Sequence, residues 1–251
     1  MAKCRIAAGT VFLKDLSVAN QPYLSVGNAQ ASLAITEEVQ ELPDYESVSG
    51  GNACAVRDVD SVELTLTMYD YDKKNLALAV FGTASNPAAA AVVNEPVQVF
   101  LEGITPLAHM PSPLTAVVNV GATTYVQNTD YTVEAGGIKV IAASPLAVAI
   151  AAGSGTPKFL AAEVDYNYVV EDVVQALVTS GKTFAARIHT KNKAADAKAE
   201  IWTLHKVQFG PTAALPIISR EFGQFEVKGE LLSIGIAPVG ESNFFKIQQQ
   251  V

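Results

Sequence analysis

Three histidines, two cysteines and a scatter of carboxylates are the side chains of this chain that could do chemistry. His109 falls in a proline-rich stretch, and His189 and His205 fall on predicted strands, where a histidine hydrogen-bonded to backbone is the ordinary outcome. Zinc needs Cys and His at short, regular spacing. No cysteine lies near a histidine here, no HExxH occurs, and Cys4 and Cys54 are far apart, so they read as free thiols of a reducing compartment. "DYDKKN", residues 70–75, opens like a calcium loop, but Lys74 takes the fifth position, Asn75 replaces the glycine of the sixth, and the twelfth carries no glutamate. "GSG", residues 153–155, lacks the spacing of a nucleophile elbow, and no phosphate-binding glycine motif follows a strand. Pairing Glu37 or Glu38 with Glu63 as acid and base has no basis in spacing. No enzyme activity, metal or cofactor is expected.

The elements around these residues say more. In "AQASLAITEEVQ", residues 29–40, Leu33, Ile35 and Val39 share one parity, while Ser32, Thr36, Glu38 and Gln40 take the other. In "SVELTLTM", residues 61–68, Val62, Leu64, Leu66 and Met68 alternate with Ser61, Glu63, Thr65 and Thr67. Period two marks strands with one buried face, and two such strands with matched faces predict an antiparallel pair. Between them runs "ELPDYESVSGGNACAVRD", far longer than a hairpin turn, and so expected to be a loop with a function. After Tyr69 the period changes. Asp72 can cap a helix, Leu76, Ala79 and Val80 fall on one face, and Gly82 suits the left-handed position past its end. So short a helix must dock on the sheet.

Residues 83–115 read as irregular. "TTYVQNTDYTVEAGGIKVIAA" reads as a meander turning at residues 128–130 and 136–137. Further strands are expected at 162–170, 173–179, 183–190, 201–209 and 222–234. The expected class is mainly β, a sandwich or barrel with one short flanking helix.

A chain of 251 residues buries roughly 70% of its unfolded surface and so holds a core without metal or disulfide support. Only 17% of its residues are charged, against about 25% in typical globular chains, so some apolar surface is expected to be covered by other subunits. The start "MAKCRIAAGT" has no apolar signal region, and the most apolar window, residues 138–152, is too short and too interrupted to span a bilayer. A soluble intracellular product is expected. The formal charge of -8 argues against tight nucleic-acid binding, yet suits a surface past which DNA slides without sticking.

The succession "ASLAITEEVQ", a long loop, "SVELTLTMYDYDKKNLALAVFG", "YVQNTDYTVEAGGIKV", "ARIHTKN", "IWTLHKVQFGP" and "EFGQFEVKGELL" resembles the major tail tube proteins of long-tailed, non-contractile (siphovirus-type) bacteriophages, over roughly residues 25–240. The resemblance implies a small sandwich-like barrel with a flanking helix. Six copies form a ring whose inner strands join into one continuous β-barrel, and rings stack into the tube through which the genome leaves. It implies one domain over 1–251, with an N-terminal arm and first strand in 1–28, a long stacking loop over 43–57 and a variable excursion over 94–160. The lumen would be faced by Ser32, Thr36, Glu38, Gln40, Ser61, Glu63, Thr65 and Thr67. The inter-ring loop would present Pro43, Asp44, Tyr45, Glu46, Gly50 and Gly51. Partners would be further copies of the chain, the tape-measure and tail terminator proteins, and double-stranded DNA in transit without specific binding or membrane insertion. The location would be the virion tail, after assembly in the host cytoplasm. The family implies no cofactor, metal or catalytic residue. Two other readings fit less well: the inner tube of a contractile tail or secretion system, which shares the ring logic, and a β-sandwich carbohydrate-binding module. The latter usually offers several exposed aromatics, whereas Trp202 is the single tryptophan and falls on a predicted strand.

Overall fold

The computed structural model describes residues 6–46, 50–153, 155–194, 198–235 and 238–250. Before the midpoint of the chain lie β1 (Ala7–Asp15), β2 (Leu24–Ser25), β3 (Ala29–Pro43), β4 (Asn52–Met68), α1 (Lys73–Ala79) and β5 (Thr83–Ser85). A middle stretch holds β6 (Ala90–Phe100), β7 (Thr105–Pro106), β8 (Ala116–Val120), β9 (Thr123–Tyr125), β10 (Tyr131–Glu134), β11 (Gly137–Val140), α2 (Pro145–Ala151) and β12 (Phe159–Tyr168). The chain then closes with β13 (Val173–Gln175), β14 (Thr183–Asn192), β15 (Lys198–Phe209), β16 (Phe225–Leu231) and β17 (Phe245–Gln249). The protein is mainly β, as its alternating patterns predict. It forms two compact units, Met1–Ala84 with Val174–Val251, and Ser85–Val173, the second of which contains the stretch 94–160.

The first unit is one antiparallel sheet in the order β2-β1-β14-β15-β16-β4-β3, with β17 on the remaining half of β15. Its core follows from alternation. In β16, "FEVKGEL", Phe225, Val227 and Leu231 are buried while Glu226, Lys228 and Glu230 are exposed. Gly229 takes the third inward position because a Cβ there would meet the Phe209 ring at 2.6 Å. Val62, Leu64, Leu66 and Met68 of β4 complete this face with Leu204, Val207 and Phe209 of β15 and Val11 and Leu13 of β1. Each fully buried side chain of this kind contributes roughly 1.5–3 kcal/mol. Trp202 packs against the same core and stacks on Phe245, with ring centroids 6.3 Å apart.

The helix α1 starts as predicted, with Asp72 Oδ1 accepting the Asn75 N–H at 2.7 Å. Asn75 is buried and donates to the Val26 and Asp70 carbonyls, which ties the helix to the start of β3. The helix end differs from expectation. Phe81, not Gly82, takes the positive φ, and Gly82 is required for space, since a Cβ would lie 2.6 Å from the Gln175 carbonyl oxygen.

The second unit contains the sheets β6-β12-β8-β9 and β10-β11-β7. Its core includes Val99, Val118, Tyr131, Ile138, Leu146, Ile150 and Val164. Tyr131 is buried and its hydroxyl donates to the Ala116 carbonyl at 2.7 Å, so its polar tip is satisfied. Two features depart from the sequence reading. Residues 83–115 contain the eleven-residue strand β6, whose pattern is hidden by Pro96 and by Asn94 at positive φ. The apolar window 138–152 divides into β11 and a second helix, α2, which starts with Ser144 accepting the Ala147 N–H and Pro145 in the first turn. The expected strands at 173–179 and 222–234 shorten to β13 and β16, although residues 177–179 still donate N–H groups to the Val80 and Phe81 carbonyls and Leu232 to that of Lys206. Among the described residues no helix is long and apolar enough to cross a membrane.

The register of β4 makes a sharp test. Leu66 is fully buried, whereas Thr65 lies on the opposite face. Leu66→Asp places an unpaired carboxylate in the core at a cost of several kcal/mol and is expected to abolish folding of the first unit. Thr65→Asp is expected to move the thermal midpoint only slightly. Equal midpoints for the two variants would overturn the register.

Candidate assembly surface

Alternation in β3 and β4 continues beyond the place where the core ends. From Val62 to Met68 every second residue of β4 is buried, but all of residues 52–60 are exposed, as is β3 from Ala34 to Pro43. The two strands project as a ribbon roughly 30 Å long, with solvent on both faces. The expected long loop over 43–57 is therefore strand over nearly half its length: Pro43 pairs with Asn52, Leu42 with Cys54 and Val39 with Arg57. The proline and glycines around the tip concealed that continuity. Only residues 44–51 form the connection. Asp44 there donates its N–H to the Gly51 carbonyl, and its side chain accepts the Glu46 N–H. Tyr45 is 86% exposed, and Gly50 and Gly51 hold positive φ in open space. Residues 47–49 and Cys4 lie outside the described residues.

A bulge sorts the side chains of this ribbon. Thr36 pairs with Ser61 and Glu37 with Val59, so Asp60 is the extra residue and the parity of β4 reverses beyond it. One face then carries Ile35, Val39 and Val59, all exposed, together with the Glu37–Arg57 ion pair at 3.5 Å. The other face collects all eight of Ser32, Thr36, Glu38, Gln40, Ser61, Glu63, Thr65 and Thr67. The register thus brings the predicted polar set together. What the sequence pattern alone misses is that, among the described residues, the face of Ile35 and Val39 has no core beneath it.

The polar face is acidic. Glu38 lies directly opposite Asp58, and Glu63 lies between Ala34 and Glu230. Like charges directly opposed across a ladder are destabilising, so this arrangement costs the isolated subunit stability. Lys228 offsets part of it, with Nζ 3.6 Å from Glu63 Oε1 and 3.8 Å from Glu226 Oε1, and β3 has no cation at all. Beyond Gln40 the same face turns apolar, with Leu42, Cys54 and Val56 exposed near the tip.

The sheet also ends in open ladders. β3 is an edge strand over its full fifteen residues, and at the far side β2 covers only Phe12 and Leu13 of β1. Long open edges invite pairing with another chain unless blunted by lysine, proline or short length. β3 has a proline only at its end and no lysine.

The second unit holds the one densely bonded histidine cluster. His109 Nδ1 lies 3.0 Å from Glu171 Oε2, the Met110 N–H donates to Glu171 Oε1, and the His109 ring stacks on Tyr168 at 3.9 Å. The Tyr166 hydroxyl accepts the His109 N–H and donates to Glu95 Oε2 at 2.6 Å, while Glu95 Oε1 accepts the Ala108 N–H. Both carboxylates thus hold the backbone of one loop, residues 108–110. His109 and the Met110 N–H, by bonding the charged carboxylate, keep the Glu171 pKa below its usual 4.5. Burial, helped by the bond to Glu95, pushes Tyr166 up to about 12. Among the described residues no group of three or more His, Cys, Asp or Glu is placed to hold a metal ion.

Because the Glu171 pKa is lower folded than unfolded, its stabilising effect is complete above about pH 4.5 and is lost as pH falls through the depressed value. The thermal midpoint of wild type is expected to exceed that of Glu171→Gln at pH 7, and the gap to close toward pH 3. A gap independent of pH would show that the carboxylate contributes no charge-dependent bonding.

Comparison with curated proteins finds no match. A family model described as "Protein of unknown function UCP028589" matches residues 5–248, and so spans both units. The chain belongs to that family.

Proposed function

We propose that the protein is a structural, tube-forming subunit, the major tail tube protein of a long-tailed, non-contractile bacteriophage. The observation that carries this reading is the projecting β3–β4 ribbon, with its acidic hydroxyl-rich face on one side, bare apolar residues on the other, and an open edge along its length. An isolated two-stranded ribbon is marginal in water. Neighbouring copies cover the Ile35, Val39 and Val59 face and pair with the open edge, and a ring of such subunits, six by the sequence resemblance, leaves no edge unpaired. The lumen is then lined by Glu38, Glu63 and the hydroxyls between them, a wall that repels a polyanion in transit. The tape-measure and terminator proteins are the partners inside the tube and at its end, and the assembled protein resides in the virion tail.

Purified protein at high concentration is expected to form rings or hollow tubes in negative-stain images, and a monodisperse monomer would overturn the reading. Phage carrying Glu38→Lys with Glu63→Lys is expected to assemble, because both sites are at least partly solvated. Its genome release is expected to be slower than wild type at low salt and to recover at high salt, following counterion release from phosphates. An unchanged rate at both salt levels would remove these carboxylates from the channel.

A further inference from the structure

The loop of residues 210–224, between β15 and β16, exposes Ile217, Ile218 and Phe222 at 89%, 96% and 100%. Single exposed apolar residues are common, but three close together on one short loop make a patch. Both feet of the loop are anchored. The Thr212 N–H donates to the Ala79 carbonyl at 2.8 Å, Leu215 packs on the core, and Gly223 sits so close to Tyr71 that a Cβ would meet its hydroxyl at 2.7 Å. The middle of the loop is therefore presented outward from a fixed base.

Its position relative to the ribbon tip follows from register within the first unit. Phe225 pairs with Met68 at one end of β4, and Pro43 pairs with Asn52 at the other. The seventeen residues of β4 separate the two ends by roughly 50 Å. We propose that this loop is the seat for the ribbon tip of a second copy of the chain, so that copies join head to tail along the direction of β4. The proposal rests on the tube reading and supplies the partner surface of its stacking contact.

Two further observations favour that occupant. The tip offers apolar groups of its own in Leu42, Tyr45 and Val56, and its charges, Glu41, Asp44 and Glu46, are all negative. At the other end Asp70 and Asp72 already accept the N–H groups of Asn28 and Asn75, while Arg220, flanked by Glu221, and Lys74 are exposed. Tip against tip would bring six or more like charges of two copies together, whereas the loop, with Arg220 beside Glu221 as its ionised groups, carries no net charge. A contact between two different patches on opposite ends of a subunit is heterologous, and where successive copies keep the direction of β4 it extends as an open stack.

The test uses the full chain in three forms: wild type, a loop variant with Ile218→Asp and Phe222→Asp, and a tip variant with Leu42→Asp and Tyr45→Asp. All four sites are exposed, so thermal midpoints are expected to stay near wild type. Each variant alone is expected to stop at single rings where wild type forms tubes. Mixing the two sets of preformed rings is expected to give pairs of rings and nothing longer, since one intact tip then meets one intact seat. A loop variant that forms tubes as long as wild type, or mixed rings that fail to pair, overturns the seat while leaving the tube reading intact. A wild type that forms neither rings nor tubes overturns both.

Discussion

The organisation of the first unit depends on the register between β3 and β4. With Leu33 opposite Leu64 and Ile35 opposite Val62, one face of the pair continues the core face, and the other carries Ser32, Thr36, Glu38, Gln40, Ser61, Glu63, Thr65 and Thr67. A slip of one residue would invert both faces at once. The Asp60 bulge is the second element of this constraint, because it moves Val59 to the side of Ile35 and Val39 and Asp58 to the side of Glu38. Without it Val59 would join Glu38 on the acidic face, and Asp58 would join Ile35 and Val39.

This arrangement is poorly adapted to a free monomer. Carboxylates face one another across the ladder, apolar residues are open to water, and the long edge lacks the usual protective lysines. Each of these features costs the isolated subunit some stability. The same economy is visible in composition, where few charges are available to cover the surface.

Much of the first unit was legible in the sequence. The alternation in residues 61–68, the Asp72 cap and the strands around Trp202 come from local rules that the tertiary structure does not override. Local rules also explain the misses. Alternation reports which side chains share a face but not whether anything lies beneath that face, so β3 reads as half-buried beyond the point where its core stops. Glycines and a proline near the tip read as a loop, although flanking residues still pair. In the second unit Pro96 and Asn94 interrupt the pattern of β6, and Ser144-Pro145, a helix-start signal inside the apolar window, was the available clue to α2. The boundary between the units left no compositional mark, since the chain crosses it through the short paired strands β5 and β13.

That crossing has a consequence for synthesis. The second unit is continuous in sequence, whereas β4 must wait for β16, its neighbour in the sheet, which starts roughly 150 residues later. At about 5–20 residues per second the delay is on the order of 10–30 s. During this interval β3 and β4 have only each other, and the nascent chain exposes the open edge of β3 and the Ile35, Val39 and Val59 face. The inserted unit can fold to completion meanwhile, and the pairing of β5 with β13 brings the interrupted halves of the first unit back to a common starting point. Timing on the ribosome, and not only shape, thus separates a subunit that waits for its own strands from one that takes a neighbour's too early.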